Sequence, residues 1–356
     1  MTMPEGKIFA LEEEATTVAS GVTPNPLTLR VNLGDCIKVN LKNKMKASRA
    51  SFFAPGLAFD PRDSQGLNVG NNGGDQTIGA GESRTYTYYA HPANKETTSL
   101  VWDGGNIVVN PRNGLYGAIV VGPRGSQYRD PVTGADVSQK NTWRADVIVD
   151  TSFTENAGKR NYRDVALFFQ DEDNIIGTAF MPYVQNVAGL TSVNYRAEPY
   201  KFREEQGCSI GKIFQPCAVD KPEDPVTPLI EAHAGDAVRI HVIGANSEQN
   251  GMFAVEGHEW PIEPYMPGAD QISVVEYAGS ETLDVFLRGG AGGPYRQVGD
   301  FVWSNARLPY TQSGQWGYLR VLPAGDSRIQ PLGTHGMGAK QAEVEPAVKA
   351  IPTAMK

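Results

Sequence analysis

No run of eighteen apolar residues occurs in the 356-residue sequence, so no membrane-spanning helix is expected. From Met1 to Glu14, Glu5, Glu12, Glu13 and Glu14 stand where a secretion signal would carry a basic flank and an apolar core, so no signal peptide is read. A basic excess is missing too. The 32 Lys and Arg against 40 Asp and Glu give a formal net charge of -8, which provides no field for a polyanion and excludes nucleic acid as an expected partner. No Ser-His-Asp order, glycine-rich phosphate loop or paired-carboxylate motif occurs, so hydrolase and kinase chemistry have no foothold. Cysteine is limited to Cys36, in an expected strand, and to Cys208 and Cys217, which flank a loop with Gly211 and Pro216. That loop closes as a Cys208–Cys217 disulfide outside the cytosol or keeps two free thiols, and the redox compartment stays open.

Glycine (39) and proline (24) are plentiful and fall between short runs of Val, Ile, Tyr, Phe and Thr, as turns fall between strands. An all-β class follows. The length fits two domains of roughly 150 residues, each able to bury a core.

One set of landmarks occurs twice. Leu29 to Val39 and Ile230 to Ile240 each read as strand, Gly-Asp turn (Gly34-Asp35, Gly235-Asp236) and strand. Sixteen residues past each Asp comes an apolar strand, Ser51-Phe52-Phe53 and Met252-Phe253-Ala254. A Gly turn then feeds an alternating strand, at Gly81 to Tyr88 and Gly279 to Phe286. Trp102 and Trp303 each lie 67 residues past the Asp, and Gly114-Leu115-Tyr116-Gly117 matches Gly314-Gln315-Trp316-Gly317. Five landmarks in one order indicate two copies of one sandwich. The expected domains are 5–125 and 145–325, joined by a linker at 126–144, with an inserted loop around 196–225 and a flexible tail over 326–356.

This order of landmarks resembles the multicopper oxidases, whose domains are cupredoxin-like Greek-key sandwiches or barrels. The closest likeness is to the large bacterial manganese-oxidising type. It rests on Asp75-Gln76-Thr77, Gly81 to Ala90, Phe168 to Asp173, Glu256-Gly257-His258-Glu259-Trp260-Pro261 and Gly314 to Val321. The resemblance implies blue copper and a trinuclear cluster held by about ten histidines and one cysteine, since imidazole and thiolate hold copper in these geometries. This chain has five histidines: His91, His233, His241, His258 and His335. Family ligands would fall around Ser51–Phe53 and beside the tryptophans. The residues there are Trp102-Asp103-Gly104-Gly105 and Trp303-Ser304-Asn305-Ala306, with no cysteine nearby. Both domains are therefore expected to be metal-free.

His258 alone lies where the family motif has a histidine, so it is the one candidate metal contact; a hydrogen-bonded histidine under a turn is the competing reading. His233 and His241, eight residues apart on one extended element, cannot chelate one ion together. His91 reads as a loop residue. The run Gln170 to Asn174 lacks calcium-loop spacing and reads as a solvated turn after a Val165–Phe169 strand. The combined expectation is a non-catalytic, degenerate multicopper-oxidase-like protein without cofactor, serving as a structural or interaction subunit with a protein partner or with itself. The alternative is a segment or subunit of a larger copper-dependent oxidoreductase whose copper lies on another chain. An extracytoplasmic location is what the resemblance implies.

Overall fold

The computed structural model describes residues 6–19, 24–173, 189–216, 224–247 and 249–333. Among them, helices are brief and none is long and apolar enough to cross a membrane.

The first sandwich comprises β1 (Leu27–Asn32), β2 (Cys36–Lys42), β3 (Ala58–Phe59), β4 (Ser83–Tyr89), β5 (Thr97–Trp102) and β6 (Tyr116–Gly122), preceded by α1 (Ala15–Ala19) and with α2 (Val109–Arg112) before β6. One sheet has the order β1-β6-β5, with β1 parallel and β5 antiparallel to β6; the other has the order β2-β4-β3. Between them Phe52, Tyr86, Tyr88, Val101, Ile119 and Val121 form the core.

The second sandwich begins with β7 (Gln127–Arg129), β8 (Arg144–Ile148), β9 (Tyr162–Asp173) and β10 (Gly189–Val193). After α3 (Tyr200–Glu205) come β11 (Ile230–His233), β12 (Val238–Ser247), β13 (Gly251–Val255), β14 (Trp260–Pro261), β15 (Gln271–Ile272), β16 (Val274–Tyr277) and β17 (Thr282–Phe286). β18 (Gly299–Asn305), α4 (Leu308–Gln312) and β19 (Trp316–Leu322) complete it. Its sheets run β17-β12-β9-β8-β7, with β10 on β9, and β11-β19-β18-β13-β16. The pairing of the first sandwich recurs: β11 is parallel and β18 antiparallel to β19.

Each Gly-Asp landmark is the same turn. The carboxylate of Asp35 accepts from the Asn32 amide (2.8 Å) and that of Asp236 from the His233 amide (2.9 Å), while Gly34 and Gly235 take φ of 95° and 89°. Glycine is suited to that left-handed backbone, where a Cβ is strained.

The sheets stack in four layers. Sheet β1-β6-β5 turns its second face onto β9 and β12, where Leu100, Tyr116 and Ala118 pack on Ala166, Phe168 and Ile243. β9 is consequently covered on both faces: Val165, Leu167 and Phe169 enter the second core, while Asp164, Ala166 and Phe168 face the first sandwich. Such a doubly covered strand is buried along its length instead of alternating.

Within the 126–144 stretch, β7 pairs with β8 at the edge of a second-sandwich sheet, and Tyr128 is buried. Residues 326–333 are docked: Ile329 is buried, and Gln330 donates its amide to Pro131 O and accepts from Arg163. Residues 334–356 lie outside the described residues. Ser51–Phe53 forms isolated bridges at its flanks, Ala50 to Ile78 and Phe53 to Trp102, instead of a strand. The acidic run is strand up to Asp173 instead of a turn, and Asn174 lies outside the described residues. β9 continues to Asp173 against β10, and Asp171 is buried, accepting from Tyr310 Oη at 3.3 Å. His233 and His241 sit on β11 and β12, in opposite sheets.

Candidate functional site

In the first sandwich the two stretches expected to bear ligands do meet. Phe53 and Trp102 exchange backbone hydrogen bonds of 3.0 and 3.1 Å. That bridge places Ser51 beside Asp103, and both are fully buried. The Ser51 amide donates to Asp103 Oδ1 (2.7 Å) and the Gly104 amide to Ser51 Oγ (2.7 Å). Asp103 Oδ2 accepts from the Asn106 amide and from Asn110 Nδ2, each at 2.7 Å. Asn110, on α2 and fully buried, donates to Arg49 O (2.9 Å) and accepts from Lys7 Nζ (2.6 Å). Gly104 has no room for a side chain, since a Cβ there would overlap Gly66 O and Leu67.

The second sandwich closes its equivalent corner with amides. Asn305 Oδ1 accepts from the Met252 amide (3.0 Å), and its Nδ2 donates to Gln315 Oε1 (2.7 Å) and Tyr277 Oη (3.1 Å). Gln315, wholly buried, donates to Gln170 O at 2.9 Å. Ser51 and Met252 are equivalent by spacing, so Asn305 does for Met252 what Asp103 does for Ser51. Counting from the tryptophans pairs Asp103 with Ser304 instead, which hides this correspondence. The Gly-x-x-Gly spacing is one residue shorter in the second copy, and the register shifts to match: Trp102 faces Tyr116, whereas Trp303 faces Gly317.

These donor sets do not fit copper. The corners offer carboxylate and amide groups, Asp103 with Asn110 and Asn305 with Gln315, bonded to backbone and to one another, and neither offers an imidazole or thiolate. Among the described residues no three His, Cys, Asp or Glu side chains gather as a metal-holding group.

His258 is buried under the turn between β13 and β14. Its Nδ1 lies 2.8 Å from Glu256 O and so carries the proton, and its Nε2 accepts from the Gly292 amide at 3.0 Å. Both ring nitrogens are occupied by backbone. Burial lowers its pKa below the usual histidine value, against a smaller upward pull from the Glu256 carbonyl. His91 Nδ1 accepts from the Ala93 amide (3.1 Å) at the head of a short turn. His233 Nε2 lies 2.9 Å from Asp326 O. Cys36 is a free thiol and Cys208 is disulfide-bonded; Cys217, the partner expected from the sequence, lies outside the described residues, as does His335. Sequence reasoning missed His241 and its two carboxylate neighbours, whose partners come from strands remote in the chain.

Paired, parallel-edged sandwiches of this kind define an all-β, cupredoxin-like fold. Neither a protein-family model nor a curated protein matches the sequence. Among solved structures the chain is similar to the multicopper oxidase mgLAC, at TM-score 0.53 and 15% identity over 85% of this chain and 78% of that one. A blue copper oxidase from Nitrosomonas europaea gives TM-score 0.52 and 15% identity, covering 84% and 77%. The copper nitrite reductase from the same organism gives 0.50 and 16%, covering 86% of each. At these identities the likeness establishes the fold.

Proposed function

We propose that this chain is a multicopper-oxidase relative that has exchanged its copper sites for hydrogen-bonded corners and acts without catalysis, as a structural or interaction subunit of an oligomeric assembly. The single observation carrying this reading is the Ser51–Asp103–Asn110 corner, where buried polar atoms satisfy one another at the position the resemblance reserves for ligands. A satisfied buried network stiffens a core, whereas a vacant ligand set would leave costly unpaired groups.

The interaction role draws support from the surface beside that corner. Ile107, Val108 and Val109 are consecutive and 60%, 57% and 41% exposed, and Leu308, which opens α4 as Val109 opens α2, is 61% exposed. Three exposed apolar residues in succession are unfavourable in water and mark a surface that is covered in use. A second copy of this chain is the proposed occupant of that surface. Native mass spectrometry of the purified full chain tests it: a copper-free homo-oligomer is the expected result, and a monomer with stoichiometric copper would overturn it. The same exposed run favours a second reading, in which the chain is a subunit of a larger copper oxidoreductase. Oxidase activity appearing only when a copper-bearing partner is added would select that reading.

A further inference from the structure

In the seam between the sandwiches a histidine is held between two carboxylates. His241 on β12 is fully buried, with Nε2 2.7 Å from Asp164 Oδ2 on β9 and Nδ1 2.6 Å from Asp284 Oδ1 on β17. From the first sandwich, Thr98 Oγ1 on β5 lies 2.7 Å from Nδ1, and Arg30 on β1 binds Asp164 Oδ1 through Nε (3.2 Å) and Nη2 (2.9 Å). Arg239 on β12 binds Asp284 Oδ2 (2.7 Å) and Glu96 Oε2 (3.3 Å), and the hydroxyls of Tyr162 and Tyr265 lie 3.4 and 3.0 Å from it. Lys159 caps Glu96 at 2.6 Å on the partly exposed rim, and the buried Tyr128 on β7, whose hydroxyl donates to Val31 O, feels the charge of Asp164.

Carboxylate oxygens only accept hydrogen bonds, so a ring nitrogen this close to one carries a proton. Both nitrogens of His241 meet that condition, which makes the ring an imidazolium. Arg30 on Asp164, Arg239 on Asp284 and Lys159 on Glu96 already pair the carboxylates of the cluster. The imidazolium rests on the two short contacts, because a neutral His241 would leave one carboxylate facing a lone pair. Removing one member of a buried ionic set is strongly unfavourable, because the remaining charge stays desolvated.

We propose that His241 is a proton-operated latch between the two sandwiches: its charged form ties Thr98 and Arg30 of the first to Asp164 and Asp284 of the second, and deprotonation loosens the seam. The proton released goes to solvent, and the neutral ring then donates through one nitrogen only, so one of the two carboxylates faces a lone pair. Burial opposes the charged ring, but Asp164 and Asp284 outweigh it and raise the histidine above its ordinary value. Stability from a raised histidine is complete below the unfolded value of about 6.5 and is lost as pH rises through the folded value. His258, held neutral, acts only on the acid side of that range.

This latch is independent of the copper reading and is tested on the full chain labelled with 15N-histidine. The expected spectrum shows His241, assigned by its absence in His241→Gln, with both nitrogens protonated at pH 6.5 and titrating above that value, beside a neutral His258. A His241 ring that is neutral at pH 6.5 overturns the proposal. In denaturant titrations the wild-type unfolding equilibrium constant should rise about tenfold per pH unit between about 6.5 and the folded value, the slope of one proton. His241→Gln should abolish that rise. A flat wild-type profile, or the same slope in the variant, contradicts the latch; if His241→Gln fails to fold, the wild-type titration and spectrum decide.

Discussion

The Asp103 carboxylate accepts from the Ser51 amide at 2.7 Å and closes the corner of the first sandwich. Asn305 and the Met252 amide, at 3.0 Å, close the second.

Asp103→Ala would remove the acceptor of the buried Ser51 amide, of the Asn106 amide and of one of the two hydrogen bonds of buried Asn110 Nδ2. A loss of about 3 kcal/mol is expected from the unsatisfied groups. Asp103→Asn, which keeps one acceptor oxygen, should lose roughly half of that. Denaturant midpoints of the two variants check the order; an unaffected Asp103→Ala would show the corner to be unimportant for stability.

His258→Ala removes the acceptor of the Gly292 amide and the donor to Glu256 O. The expected cost is about 2 kcal/mol, with no change in metal content. Because the folded pKa is lowered, the stability His258 provides is present above about 6.5 and declines as pH falls below it, so the variant should match wild type better at pH 5 than at pH 8. Elemental analysis and paired melts measure both parts, and loss of bound metal in the variant would restore the metal reading of His258.

The seam should fail in acid. Burial favours the protonated forms of Asp164 and Asp284, but His241 with Arg30 at the first, and Arg239 with His241 at the second, hold both carboxyls well below the usual range. Depressed acids stabilise above their unfolded value of about 4 and lose that contribution as pH falls through the folded values. Melting temperature should therefore drop steeply below about pH 4, and less steeply in Asp284→Asn, which starts less stable. Equal acid slopes would remove these groups from the explanation.

If the exposed run beside the first corner is an assembly surface, Val108→Asp should shift sedimentation toward smaller species without altering the melting profile of the folded chain. Sedimentation identical to wild type would move the interface elsewhere.

Much of the architecture was legible because turn chemistry and strand composition are local. The Gly-Asp pairs became matching turns with positive-φ glycines. Gly317 is there because a Cβ would overlap the Trp303 ring. The corners were not legible in the same way. Asp103 finds Ser51 across 52 residues and Asn305 finds Gln315 only after a one-residue change in spacing, so counting from the tryptophans paired the wrong positions. Asp171 looked solvated because a run of acids ordinarily is; only the approach of β10 and Tyr310 buries it. His241 was legible only as a neighbour of His233 on an extended element, since Asp164, Asp284 and Thr98 come from three other strands.

Copper uptake by the purified full chain is the decisive measurement. After incubation with excess copper and desalting, elemental analysis should find no stoichiometric copper and the visible spectrum no intense blue band, because neither corner supplies imidazole or thiolate. One or more coppers per chain retained with such a band would contradict the reading.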